Sequence, residues 1–113
     1  MLFIRPWGTY EVLLDEPNYK VKRIVVNPCQ QLSLQYHLHR EEHWTIVGGS
    51  GKIVLDGSEV NASPGDTFFI PCKSIHRAST SSEGLTFIEV QVGKCDEDDI
   101  IRMQDDYGRL TER

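Results

Sequence analysis

With 113 residues, 39% of them hydrophobic, the chain has the size of one compact domain and is too short for a nucleotide-binding sheet with its helices plus a second substrate domain. Twelve Lys and Arg against 17 Asp and Glu leave a formal charge of -5, without the basic footprint that a nucleic-acid backbone demands. No apolar run approaches a membrane span, residues 1–4 are too short for a secretory core, and Cys29, Cys72 and Cys95 form no Cys-x-x-Cys pair. The expectation is a cytoplasmic protein with reduced thiols, no nucleic-acid partner and no membrane contact.

Glycines and prolines cut the chain into short segments, and no helical apolar period is sustained, so the pattern predicts an all-β domain. In chain order the predicted strands are 9–14, 19–26, 32–39, 43–47, 52–55, 59–62, 66–70, 75–79 and 85–92. Turns fall between them. Asp15-Glu16-Pro17-Asn18 separates the first two, Gly48-Gly49-Ser50-Gly51 the middle pair, and Asp56-Gly57 has the composition of a type I′ hairpin. Ser63-Pro64-Gly65-Asp66 supplies another turn. Beyond residue 92 the composition becomes acidic, which predicts a surface loop, a short helix over 98–103 and a polar tail, so that 93–113 is loop and tail within one domain spanning 1–113.

Four histidines carry the chemistry. Alternation in a strand would put His37 and His39 on one face with Ser33 and Gln35, and Leu34, Tyr36 and Leu38 on the other. A turn at Arg40-Glu41-Glu42 would let His43 swing back toward them, and His76 arrives from a later hairpin. Clustered neutral imidazoles with open positions suit a divalent metal ion, zinc favoured, with iron, manganese, cobalt or nickel also compatible. A single histidine is more commonly a surface or hydrogen-bonded group; three within seven residues, two of them on one predicted face, are what raises the metal reading.

At these residues the chain resembles a cupin. His37-Leu38-His39-Arg40-Glu41-Glu42-His43 is similar to the first cupin motif, and Gly65 through Pro71 to His76 is similar to the second. The resemblance implies a single-domain antiparallel jelly-roll β-barrel with a short C-terminal tail. Arg5-Pro6-Trp7-Gly8 at the start, Leu32-Ser33-Leu34-Gln35 within, and Asp105-Asp106-Tyr107-Gly108-Arg109 at the end narrow it to the cupin domain of type II mannose-6-phosphate isomerases, often the C-terminal part of a bifunctional enzyme with mannose-1-phosphate guanylyltransferase. Nearly the whole chain is covered. Guanylyl transfer is not carried over, because these residues hold no glycine-rich phosphate loop. The chain departs from the family in having Cys29 and Lys73 at turn positions where glycine is usual, and His43 where the general pattern has glutamate, with Glu42 adjacent.

The family implies interconversion of mannose 6-phosphate and fructose 6-phosphate, and hence a phosphorylated sugar as partner. His37, His39, His43 and His76 are the expected metal ligands, and Glu42 and Glu89 the candidates for moving a proton between neighbouring carbons. Alternation groups Phe87, Glu89 and Gln91 on one face. Arg40, Lys73, Arg77 and Arg109 are the candidate phosphate contacts, with Gln35 and Gln91 as further substrate-binding candidates. The solvated turn is the bland alternative for Glu42, and a surface position for each cation. Apolar outer strand faces imply a homodimer. Two other functions remain open: a noncatalytic module binding a sugar or nucleotide-sugar, and an iron-dependent dioxygenase.

Overall fold

The computed structural model describes residues 1–109; the last four residues of the predicted tail lie outside the described residues. Eleven strands run in order: β1 (Leu2–Arg5), β2 (Gly8–Glu16), β3 (Tyr19–Val26), β4 (Leu34–Tyr36), β5 (Arg40–Gly49), β6 (Gly51–Leu55), β7 (Ser58–Ala62), β8 (Thr67–Ile70), β9 (His76–Ser79), β10 (Leu85–Gly93) and β11 (Ile101–Gln104). They form a six-stranded sheet ordered β1-β2-β3-β10-β5-β8 and a five-stranded sheet ordered β11-β4-β9-β6-β7, with every pairing antiparallel. From β3 onward the chain passes repeatedly from one sheet to the other, so that neighbours in space are distant in sequence. This is the jelly roll expected from the sequence.

Alternation explains the layering. In β10 Leu85, Phe87, Glu89 and Gln91 face inward while Thr86, Ile88 and Val90 are half-buried on the outer side. In β5 Arg40, Glu42, Trp44 and Ile46 face inward and His43, Thr45 and Val47 outward. One half of the interior is apolar: Trp44 stacks on Phe87 with ring centroids 4.4 Å apart, and Ile24, Val26, Ile46, Ile53, Ile70 and Leu85 pack beside them. The other half collects buried polar groups, His37, Arg40, Glu42, His76, Glu89 and Gln91.

Turn chemistry follows the sequence. Asp56 (φ 47°) and Gly57 (φ 86°) both adopt left-handed backbone, as a type I′ turn requires. Gly49 (φ 75°) is needed for space as well, since a Cβ there would lie 1.8 Å from the carbonyl oxygen of Gly84. Cys29 (φ 58°) and Lys73 (φ 69°) take the same conformation without being glycine.

Three expectations are corrected. The segment 98–103 is not helical; a turn leads into β11, whose Ile101 pairs with Tyr36 at the edge of the five-stranded sheet, and that pairing outweighs the weak local helix signal. The strand expected over 32–39 shortens to β4, with His37 beyond its end and the bend at Leu38 and His39. β5 accordingly begins at Arg40, so Arg40, Glu41 and Glu42 lie in a strand and not in a turn.

Candidate metal centre and its cavity

Three side chains converge where β4, β5 and β9 approach one another. Glu42 faces inward from β5, His76 opens β9, and His37 sits just past β4; their ligating atoms all lie within 4.8 Å of one another. His37 Nε2 is 3.1 Å from Glu42 Oε2, and His76 Nε2 is 3.9 Å from Glu42 Oε1. His76 is fully buried and Glu42 is 1% exposed.

Both rings are oriented from behind. His37 Nδ1 donates to the Asp99 carbonyl at 2.6 Å, and His76 Nδ1 donates to the Ser74 carbonyl at 2.9 Å. A carbonyl only accepts, so Nδ1 carries the proton and, in the neutral imidazole, Nε2 holds the lone pair. His76 Nε2 is buried without a hydrogen-bond partner among the described residues. Burial, the largest influence, pushes the His37 pKa down to about 4 despite Glu42 nearby, so that ring is neutral at pH 7. Asp99 fixes the bend as well, its carboxylate accepting the backbone N–H groups of Leu38 (2.8 Å) and His39 (2.9 Å).

Glu42 is oriented at both oxygens. Trp44 Nε1 donates to Oε1 at 3.0 Å and Arg40 Nε to Oε2 at 2.9 Å. Burial alone would raise its pKa, but His37, His76 and Arg40 together hold it well below the usual carboxylate range. Glu89 goes the other way: burial and then the Glu42 charge raise its pKa to about 8. Gln91 Nε2 donates to Glu89 Oε2 at 2.7 Å. Two adjacent carboxyl groups are thereby driven to different charge states.

An orphaned buried lone pair, a second imidazole made neutral by burial, and a carboxylate kept ionised are the donor set that a divalent cation satisfies. The residues fit a metal ion. Gln35, the register partner of His76 across β4 and β9, adds an amide held at Oε1 by Ser33 Oγ at 2.6 Å. Gln35, Arg40, Glu42 and Glu89 line a cavity of about 270 Å³, together with Arg5, Lys22, Glu97, Arg102 and Arg109.

The other sequence candidates are placed elsewhere. His39 is exposed on the bend. His43 lies on the outer face of β5, its Nε2 2.8 Å from Glu41 Oε2 and its ring 4.9 Å from that of Phe69. The cluster therefore joins two imidazoles to a carboxylate and leaves out two of the four expected histidines. Lys73 is exposed and does not line the cavity, and Arg77 donates through Nε to the Leu32 carbonyl (2.8 Å). Gln91 is buried behind Glu89. Arg40 is engaged with Glu42 and the Asp96 carbonyl (3.0 Å), while Arg109 stands at the cavity. Sequence reasoning missed Arg5, Lys22, Glu97, Asp99 and Arg102. Arg5 lay in the opening motif without an assigned role, and Arg102 was hidden in the segment expected to be helical.

Two facing antiparallel sheets closed over this cluster define the class: the protein is a cupin. A cupin-2 domain protein from Rhodospirillum rubrum superposes with a TM-score of 0.76 at 20% identity, covering 86% of this chain and 72% of that one. KdgF from a Halomonas species superposes with a TM-score of 0.75 at 17% identity, covering 84% and 86%. The chain belongs to the mannose-6-phosphate isomerase C-terminal family, whose model matches residues 2–105. It is 39% identical over 108 residues to a mannose-1-phosphate guanylyltransferase from Escherichia coli K12, covering 94% of this chain. Alginate biosynthesis protein AlgA from Pseudomonas aeruginosa is 41% identical over 110 residues, covering 96%. The chain spans 23% of the length of each of these two relatives.

Proposed function

We propose that the protein is a metal-dependent aldose–ketose isomerase interconverting mannose 6-phosphate and fructose 6-phosphate. One observation carries the reading: Glu42, which joins His37 and the orphaned His76 Nε2 in one donor cluster, lines the same cavity as a second buried carboxyl group, Glu89, in a chain of this family. His37, Glu42 and His76 would hold the ion, zinc favoured, with the Gln35 amide beside them. When bound, the ion supplies Lewis-acid polarisation of the substrate's carbonyl and hydroxyl oxygens. In its ionised form, which its raised pKa makes the minor one at pH 7, Glu89, held by Gln91, would take the proton from C2 of open-chain mannose 6-phosphate and return it to C1, while a proton passes from O2 to O1; the product is fructose 6-phosphate, and turnover should rise with pH toward about 8. Arg40 and Trp44 fix the Glu42 carboxylate, and Trp44, which lines the cavity, is itself stacked on Phe87.

The test is fructose 6-phosphate formation from mannose 6-phosphate by the zinc-loaded protein, before and after chelation. Turnover that disappears with the metal and returns on reloading is expected. Glu89→Gln should abolish it while the metal content stays the same. Stoichiometric metal with no turnover, across zinc, iron, manganese, cobalt and nickel, would leave a sugar-binding module in its place.

A homodimer belongs to the same proposal. Val47, Phe69 and Val92 are exposed on the outer face of the six-stranded sheet, around the half-buried Val90, and β8 leaves that sheet's edge unpaired. A second copy of the chain is the occupant we assign to that face. Sedimentation of Phe69→Glu as a monomer beside a dimeric parent would support it, and a monomeric parent would refute it.

A further inference from the structure

We propose that Arg5, Arg102 and Arg109 form the seat for the substrate's phosphate, in the cavity that Glu42 of the donor cluster also lines. The proposal rests on the sugar-phosphate reading above and supplies the anion site that reading lacks. A doubly charged phosphate entering a protein of net charge -5 needs concentrated positive charge. Arg40 is paired with Glu42, and Lys20 and Lys22 are both paired with Glu97.

Position favours the three arginines. Register places His76 opposite Gln35 and Gln35 opposite Arg102, so these side chains stand in one row across β9, β4 and β11. Two strand spacings of about 4.8 Å put Arg102 about 10 Å from His76, the scale that separates the carbonyl end of a six-carbon sugar from its terminal phosphate. On the facing sheet the Tyr10 ring links the same two regions. Lys22 Nζ lies 4.4 Å from the ring centroid and the Arg5 guanidinium 5.1 Å from it.

Chemistry favours them too. Arg5 donates to the Ile4 carbonyl at 2.9 Å and the Tyr10 hydroxyl at 3.2 Å, and it forms no ion pair with a carboxylate among the described residues. Its guanidinium is fixed against Phe3 and Tyr10 yet keeps an uncompensated charge at the cavity. Arg109 is held in a defined plane by Asp105, through Nε at 2.9 Å and Nη2 at 3.0 Å. Rigid planar forks converging from both ends of the chain are suited to the oxygens of a phosphate, which a guanidinium can grip in pairs. The arrangement gives the opening Arg5-Pro6-Trp7-Gly8 and the closing Tyr107-Gly108-Arg109 a common task.

Calorimetric titration with mannose 6-phosphate, inorganic phosphate and unphosphorylated mannose tests the seat. Arg5→Gln and Arg102→Gln should each weaken both phosphate-bearing probes by about tenfold or more. Metal content should not change, and Arg23→Gln, which removes an exposed arginine paired with Glu11, should bind like the parent. Arg5 is exposed, so its replacement keeps the test open if Arg102→Gln fails to fold. Parental affinities in Arg5→Gln, or a parent that binds neither phosphate-bearing probe, would overturn the proposal. Arginine-dependent phosphate binding without isomerisation would uphold the seat and refute the isomerase. Isomerisation with an unchanged KM in Arg5→Gln and Arg102→Gln would do the reverse.

Discussion

Glu42 and His43 are neighbours in sequence and lie on opposite faces of β5. Glu42 lines the cavity; His43 is half-exposed beside Phe69 on the outer surface. The difference is parity. Counting alternate residues back from Trp44, which is 1% exposed, brings Glu42 inside and sends His43 out. A turn placed at Arg40-Glu41-Glu42 loses that parity, which is how a carboxylate is mistaken for a turn residue and a surface imidazole for a ligand. His76→Ala should therefore abolish stoichiometric metal binding measured by elemental analysis, whereas His43→Ala should retain it. Metal loss in both would return His43 to the ligand set. Alternation grouped Glu89 with Phe87 and Gln91 but left open whether that face turned inward, which the structure shows it does. The opposed charge states of Glu42 and Glu89 were not, because they arise from burial and from neighbours on other strands.

The segment following β10 is an element without regular structure that ties the site together. Asp96 accepts from Arg40, Asp99 holds both His37 and the bend beyond it, and Glu97 pairs with two buried lysines, Lys20 at 3.0 Å and Lys22 at 2.7 Å. Its acidic composition made it look like a solvated loop, yet three of its residues, Asp96, Glu97 and Asp99, answer cations or N–H groups of the barrel. Burial raises the Glu97 pKa, but Lys22 and Lys20 more than offset this and hold it below its ordinary 4.5. A carboxylate whose pKa is depressed on folding stabilises the fold above its unfolded pKa, and that stabilisation is lost as pH falls through the folded value. The melting temperature of Glu97→Gln should thus lie below that of the parent at neutral pH and converge with it as pH drops below about 4.5. A gap that persists in acid would show that packing, and not the ion pairs, holds the segment.

At the scale of the whole molecule the interior is divided. Trp44 and Phe87 form the boundary, stacked on each other with Trp44 also presenting an edge to His76 at 5.7 Å. Truncating Phe87, which is fully buried, would open a cavity in the apolar half and loosen the wall of the polar half. Phe87→Ala should cost about 3–5 kcal/mol in denaturant unfolding, and also reduce metal affinity. A loss below about 1 kcal/mol would mean that the two sheets collapse onto the gap without penalty.

Local chemistry written in the sequence determined the all-β class, most strand positions, the Asp56-Gly57 hairpin and the grouping of Phe87, Glu89 and Gln91 on one face of β10, because alternation and turn preferences act over a few residues. The cupin motifs named the region of the site and two of the three clustered side chains, His37 and His76, along with His39 and His43, which lie outside the cluster. Tertiary structure alone decided that β11 is a strand, since its partner Tyr36 lies far back along the chain. It also decided that Arg5 and Arg109, from opposite ends of the chain, line one cavity, and that Glu42 supplies the carboxylate between two imidazoles. Each of these depends on distances between strands remote in sequence, which pairing and burial set only once the two sheets close on each other.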